Sequence, residues 1–117
     1  VYTTDCSPVE NAPVDFWHCD DAGVYDNEGY TLRGHQFTDA DGRYELTTIV
    51  PGVYPGRTRH IHVKAQKPES DVLTSQLYFP DEPQNASDGI FDPSLVMDLS
   101  DAADGDGKVG YFTFVLE

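Results

Sequence analysis

The 117-residue sequence predicts an all-β protein, an antiparallel β-sandwich with long loops and little helix. Two observations carry this. No segment of useful length repeats its apolar residues at the helical period. Short apolar and β-branched stretches instead alternate with clusters of Gly, Pro, Asp and Asn, the pattern of strands parted by turns.

Taken in order, Val14-Asp15-Phe16-Trp17 forms a strand after the Ala12-Pro13 turn. Residues 36–38 and 43–49 flank Asp39-Ala40-Asp41-Gly42, whose glycine is ready for positive φ, and so predict a hairpin. Tyr44, Leu46 and Thr48 alternate there with Arg43, Glu45 and Thr47, as in a strand with one buried face. Residues 59–65, 73–79 and 109–116 complete a set of six or seven strands. Residues 80–103 are polar and turn-rich, with one short helical turn expected at 93–98. No repeat or linker interrupts the chain, so residues 1–117 read as one domain, enough for one hydrophobic core.

Seven basic residues against 21 acidic ones give a net charge of −14. Such a surface repels nucleic acid and anionic membranes, which excludes both as expected partners. No apolar run approaches the ~18 residues that cross a bilayer. The chain opens on VYTTDCSPV, already strand-like, and reads as a mature or trimmed sequence. Cys6 and Cys19 bracket 12 residues. That spacing suits a disulfide in an oxidising compartment, stabilising by about 3 kcal/mol, and equally suits two buried thiols.

The chemistry gathers in ELTTIVPGVYPGRTRHIH, residues 45–62. On an extended strand His60 and His62 leave the same face, about 6–7 Å apart at Cα, close enough to reach one metal ion. Tyr54 and Arg57 lie just upstream in a Pro- and Gly-rich turn. A phenolate beside two neutral imidazoles suits a hard, high-valent cation such as iron(III) better than zinc or calcium. Tyr25 follows the Trp17 strand and reads, from local sequence, as a packing tyrosine. Asp39-Ala40-Asp41-Gly42 and Asp104-Gly105-Asp106-Gly107 are hairpin turns and not calcium loops, because the twelfth positions are Val50 and Val115. Asn85-Ala86-Ser87 is a formal glycosylation sequon, read as exposed.

In this order the pieces resemble the intradiol ring-cleavage dioxygenases of catechols, in particular their secreted single-domain branch. The likeness rests on Asp5-Cys6-Ser7-Pro8-Val9, VDFWHCDDAGVYD from Val14, LRGHQFTDADGRYELTTIVPGVYPGRTRHIHVKA from Leu32, and LTSQLYF from Leu73. By this resemblance Tyr25, Tyr54, His60 and His62 hold non-haem Fe(3+). Tyr54 also takes a substrate proton, Arg57 stabilises developing negative charge, and Gln76 lies near the substrate. The resemblance further implies a Cys6–Cys19 bridge and an extracellular location. It implies a catechol-type substrate and O2 as partners, with other domains flanking this one in a precursor. Thr58-Arg59 departs from the family by replacing a Pro-containing step before the His-Ile-His run. The competing reading is a non-catalytic β-sandwich binding module, for which residues 38–54 alone would suffice. Tyr25, Arg57, His60 and His62 have no place in such a module.

Overall fold

The computed structural model describes residues 1–25, 32–53, 56–67, 72–102 and 107–116. Its centre is a four-stranded antiparallel sheet of β2 (Pro13–Trp17), β3 (Arg33–Phe37), β4 (His60–Ala65) and β5 (Leu73–Tyr78), in the order β3-β2-β4-β5. A short β1 (Tyr2–Thr3) pairs in parallel with β8 (Val115–Leu116), and β6 (Asp98–Asp101) pairs with β7 (Lys108–Tyr111). The only helical elements among the described residues are two 3₁₀ turns, Pro83–Ala86 and Pro93–Leu95, each with Pro in its first turn. None of the described helices is long and apolar enough to cross a membrane.

Alternation sorts the central sheet into two faces. Val14, Phe16, Ile61, Val63, Ala65 and Leu77 are buried on one, packed with Val1, Val9, Met97, Phe114 and Leu116. Trp17, His60, His62, Gln76 and Tyr78 occupy the opposite positions: Trp17 pairs with His62, His62 with Gln76, and His60 with Tyr78. The core is therefore built from the residues between the histidines, which fixes the register of β4 and with it the direction of both imidazoles.

Several expectations need correcting. Residues 43–49 form no strand. The predicted turn is present, closed by Gly42 N–H on the Asp39 carbonyl at 2.9 Å with φ +74° at Gly42. Beyond it the segment runs without a ladder: the Gln36 side chain takes the Glu45 N–H at 3.2 Å. Tyr44 and Leu46 still pack against the core, so the inward alternation holds there without sheet pairing. Residues 109–116 are not one strand but are divided between β7 and β8. The turn-rich stretch 80–103 contains β6.

The expected Cys6–Cys19 bridge is absent, and both cysteines are free. Cys6 sits on an exposed turn before β2, whereas Cys19 is buried beyond the far end of that strand, where Sγ meets the Gly52 carbonyl at 3.4 Å. The five residues of β2 alone carry the chain about 13 Å between these positions. Asn85 of the sequon is half-buried and engaged, its Nδ2 donating to the Phe79 carbonyl at 3.0 Å and its Oδ1 accepting from Thr58 at 2.6 Å.

Candidate metal centre

The site is assembled from β4 and the two loops that lead toward it. The loop after β2 is wound by Asp20, whose carboxylate accepts from the N–H groups of Ala22 and Val24, both at 2.9 Å. Gly23 completes the turn at φ +82°. This loop lies directly on Gly52, whose N–H reaches the Asp20 carbonyl at 2.8 Å. A Cβ on Gly52 would come within 2.4 Å of the Asp21 carbonyl oxygen, so only glycine permits the approach. The contact ties the segment carrying Tyr25 to the Pro-Gly run upstream of β4.

The phenol oxygen of Tyr25 lies 2.9 Å from His60 Nε2 and 3.2 Å from His62 Nε2, and the two nitrogens are 3.1 Å apart. Two donors each about 2.1 Å from one ion and at right angles are about 3.0 Å apart. The three atoms thus already stand at the mutual spacing of neighbouring ligands. Among the described residues no set of three His, Cys, Asp or Glu converges in this way. The donor set here is two imidazoles and a phenol, which favours a hard trivalent cation. Tyr54, expected to complete it, lies outside the described residues.

Both histidines are held neutral. Burial pushes His60 down despite its bond to Thr58. Burial, then the neighbouring His60 and the guanidinium groups of Arg57 and Arg33, push His62 down to about 4. His60 Nδ1–H donates to the Thr58 carbonyl at 2.7 Å, which leaves the Nε2 lone pair facing inward. Trp17 stacks on His62 at 4.9 Å with an interplanar angle of 4°, fixing that ring.

Arg57 and Gln76 meet beside the histidines, with Arg57 Nη2 donating to Gln76 Oε1 at 2.6 Å. Residues 57–59 are clamped to the 82–88 turn. Arg57 Nε reaches Asp88 at 2.8 Å, the Thr58 hydroxyl reaches Asn85, and Arg59 pairs with Glu82 at 2.9 Å. Arg59 also donates to the Pro51 carbonyl. This is what the Thr58-Arg59 departure does here. Asp88 is held below the ordinary carboxylate range: burial works the other way, but bonds from Ile90 N–H, Arg57 and Thr58 N–H outweigh it. Burial pushes the Tyr78 phenol up, which keeps it a donor.

Sequence reasoning missed Asp88, Tyr78 and Trp17. Tyr78 is two residues from Gln76 on one strand, so period-2 alternation was a usable signal. Asp88 lies in a polar loop among several acidic residues, and no local signal marks it.

The fold and donor set define a β-sandwich with a phenol–bis-imidazole centre, a class to which the comparisons give a family. The "Dioxygenase" family model matches residues 1–117. Hydroxyquinol 1,2-dioxygenase of Corynebacterium glutamicum is 28% identical over 90% of this chain, and the protocatechuate 3,4-dioxygenase beta chain of Burkholderia cepacia 34% over 72%. The chain spans 43% of the length of each. Among solved structures, the dioxygenase domain of a dioxygenase–carbohydrate-binding protein fusion from Streptomyces sp. SirexAA-E superposes with a TM-score of 0.95 and 55% identity. That match covers 99% of this chain and 74% of the other. The 3-chlorocatechol 1,2-dioxygenase of Rhodococcus opacus 1CP gives 0.86 and 27%, covering 97% and 56%. The chain belongs to the intradiol ring-cleavage dioxygenase family.

Proposed function

We propose that this protein is a non-haem iron(III) intradiol dioxygenase that cleaves catechol-type aromatics between their two hydroxyls, inserting both atoms of O2 to give a muconate-type diacid. The observation that carries this reading is the convergence of Tyr25, His60 and His62 within 3.2 Å of one another. In the proposal Tyr54 joins them as the fourth ligand. Ferric iron, when bound, supplies the Lewis acidity and redox character that make a chelated catecholate reactive toward O2.

The chain's own groups do the rest. Neutral His60 and His62 present lone pairs, and the Tyr25 phenolate contributes charge that helps offset the trivalent ion. Tyr54 Oη is the base that takes a hydroxyl proton from the arriving catechol. Arg57 places a fixed guanidinium beside the charge that develops on the opening ring. Gln76 hydrogen-bonds the substrate from the neighbouring strand. Exposed Val24 and Ile90, on the loops around the centre, suit substituted plant- or lignin-derived phenolics over unsubstituted catechol alone.

The proposal includes an extracellular location. Its support is the likeness to a domain joined to a carbohydrate-binding protein in a cellulolytic bacterium; the unbridged cysteines lend it none. Fractionation of the producing culture tests it, and exclusive recovery from the cytoplasm would refute it.

The deciding experiment is oxygen uptake on a panel of catechol, hydroxyquinol, protocatechuate and caffeate, with products weighed after reaction under labelled O2. Two labelled atoms in an intradiol diacid are expected, from a protein coloured burgundy by phenolate-to-iron charge transfer. Extradiol products would refute the intradiol reading, and a colourless protein that binds catechols unchanged would leave the binding-module reading. Tyr54→Phe is expected to retain part of the iron while losing at least about 100-fold in turnover, as removal of a positioned general base does. Unchanged turnover would remove Tyr54 from its role as base.

A further inference from the structure

Asp88 has no part in the donor set, yet its side chain is only 1% exposed and accepts from three donors. Oδ2 accepts from Arg57 Nε at 2.8 Å and from Thr58 N–H at 2.8 Å, and Oδ1 accepts from Ile90 N–H at 3.0 Å. Two of the three are backbone groups, so the carboxylate is fixed independently of Arg57 and can dictate where the guanidinium plane lies. With Nε committed to Asp88, the Nη2 edge falls on Gln76 Oε1 at 2.6 Å.

That contact settles a second orientation. Arginine only donates, so the Gln76 atom facing it must be the amide oxygen. The Tyr78 hydroxyl, 2.9 Å from the same Oε1 and 3.1 Å from the Ile90 carbonyl, adds a second donor on that side. The remaining Gln76 amine group has two N–H donors and no partner among the described residues. Gln76 pairs with His62 across the β4–β5 ladder and shares its face. The wall beside the metal centre is therefore lined by N–H donors.

We propose that Asp88, seconded by Tyr78, is the positioning residue of this site: it sets the Arg57 guanidinium and, through it, turns the Gln76 amide so that the wall donates to the substrate. Such a wall holds a substrate oxygen that is anionic more strongly than one that keeps its proton, because a charge-assisted bond is about twice as strong as a neutral one. Asp88 acts through Arg57 and touches no substrate. The inference rests on the proposed dioxygenase reading for its chemistry, but the side-chain arrangement can be tested separately.

The test uses Asp88→Asn and Tyr78→Phe in the full chain, with two readouts. In the metal-free protein, ¹⁵N-resolved exchange of the Arg57 Nε–H is expected to be slow in the parent and much faster in Asp88→Asn. Equal protection would overturn the proposal whatever the enzyme does. In the iron-loaded protein, Asp88→Asn is expected to lower kcat on catechol about 10- to 100-fold, the range for an outer-shell partner, with KM changed far less. In an Arg57→Gln background the same substitution should cost almost nothing further, since residues acting as one unit are not additive. Full additivity would mean that Asp88 merely supports the fold, and would overturn its role.

If Asp88→Asn fails to fold, Tyr78→Phe carries the kinetic arm with a smaller fall in kcat. No change in kcat there would remove Tyr78 from the network. Gln76→Glu keeps an acceptor for Arg57 but replaces the donor edge with a carboxylate oxygen. It should raise KM for catechol, and an unchanged KM would show that the amine group does not face the substrate. A parent protein that cleaves no catechol at all would sink the enzymatic reading while the exchange measurement still decides the positioning.

Discussion

The two faces of β4 differ by a single step along the chain and share nothing in chemistry. Ile61, Val63 and Ala65 are each at most 7% exposed and enter an apolar core. His60 and His62 stand on the reverse side, against Trp17, Gln76 and Tyr78. His60 is itself only 2% exposed, so burial alone does not separate the faces. What separates them is hydrogen bonding. The core face is satisfied by contact, whereas on the site face the His60 imidazole, the Gln76 oxygen and the Tyr78 hydroxyl each have hydrogen-bond partners. The comparison teaches that the core residues hold the register that aims the site, and the site residues add little to the register. Variants on the two faces should then fail in different ways.

The largest effect should come from the site face. His60→Ala or His62→Ala is expected to lower bound iron and turnover by more than about 100-fold, beyond the usual cost of disturbing an outer-shell partner. Circular dichroism should remain unchanged. Iron retained at parental stoichiometry would break the comparison.

Next comes the core. Leu77→Ala on β5 removes a side chain 4% exposed and should cost about 2–5 kcal/mol in urea unfolding. The fraction still folded should bind iron normally. Loss of iron at full stability would mean that the core face contributes directly to the centre.

A smaller effect is expected at the clamp between residues 57–59 and 82–88. The Asp88 carboxylate is held below its ordinary range, so its stabilising contribution is complete above the unfolded value of about 4 and is lost as pH falls through the lower folded value. Asp88→Asn should cost about 1–3 kcal/mol at neutral pH, with the gap in Tm from the parent closing on acidification below about pH 4. A gap that widens in acid would reverse the sign argued here.

The smallest effect is expected at Cys6, exposed and unbridged. Cys6→Ser should change stability by no more than about 0.5 kcal/mol, and reductant should leave the parent's Tm unmoved. A loss near 3 kcal/mol would restore the bridge.

Legibility followed the range of the interaction. The strands at residues 14–17, 59–65 and 73–79 could be read because period-2 alternation and turn residues act within a few positions. The Asp39–Gly42 turn was legible for the same reason. Residues 43–49 carried the alternation of a strand but not the ladder, since pairing depends on a neighbour that sequence does not supply. The cysteines were misread because resemblance outweighed the length of β2 between them.

What the sequence determined by itself is the all-β character and the pairing of His60 with His62 on one face, both consequences of local backbone geometry. Tertiary structure alone decided that Tyr25 comes within 2.9 Å of His60 across 35 residues, and that Asp88 reaches Arg57 across 31. Those meetings depend on loops packed by close approach, such as Gly52 against Asp21, and on buried acceptors seeking donors. Such constraints act through space and leave no periodic trace along the chain.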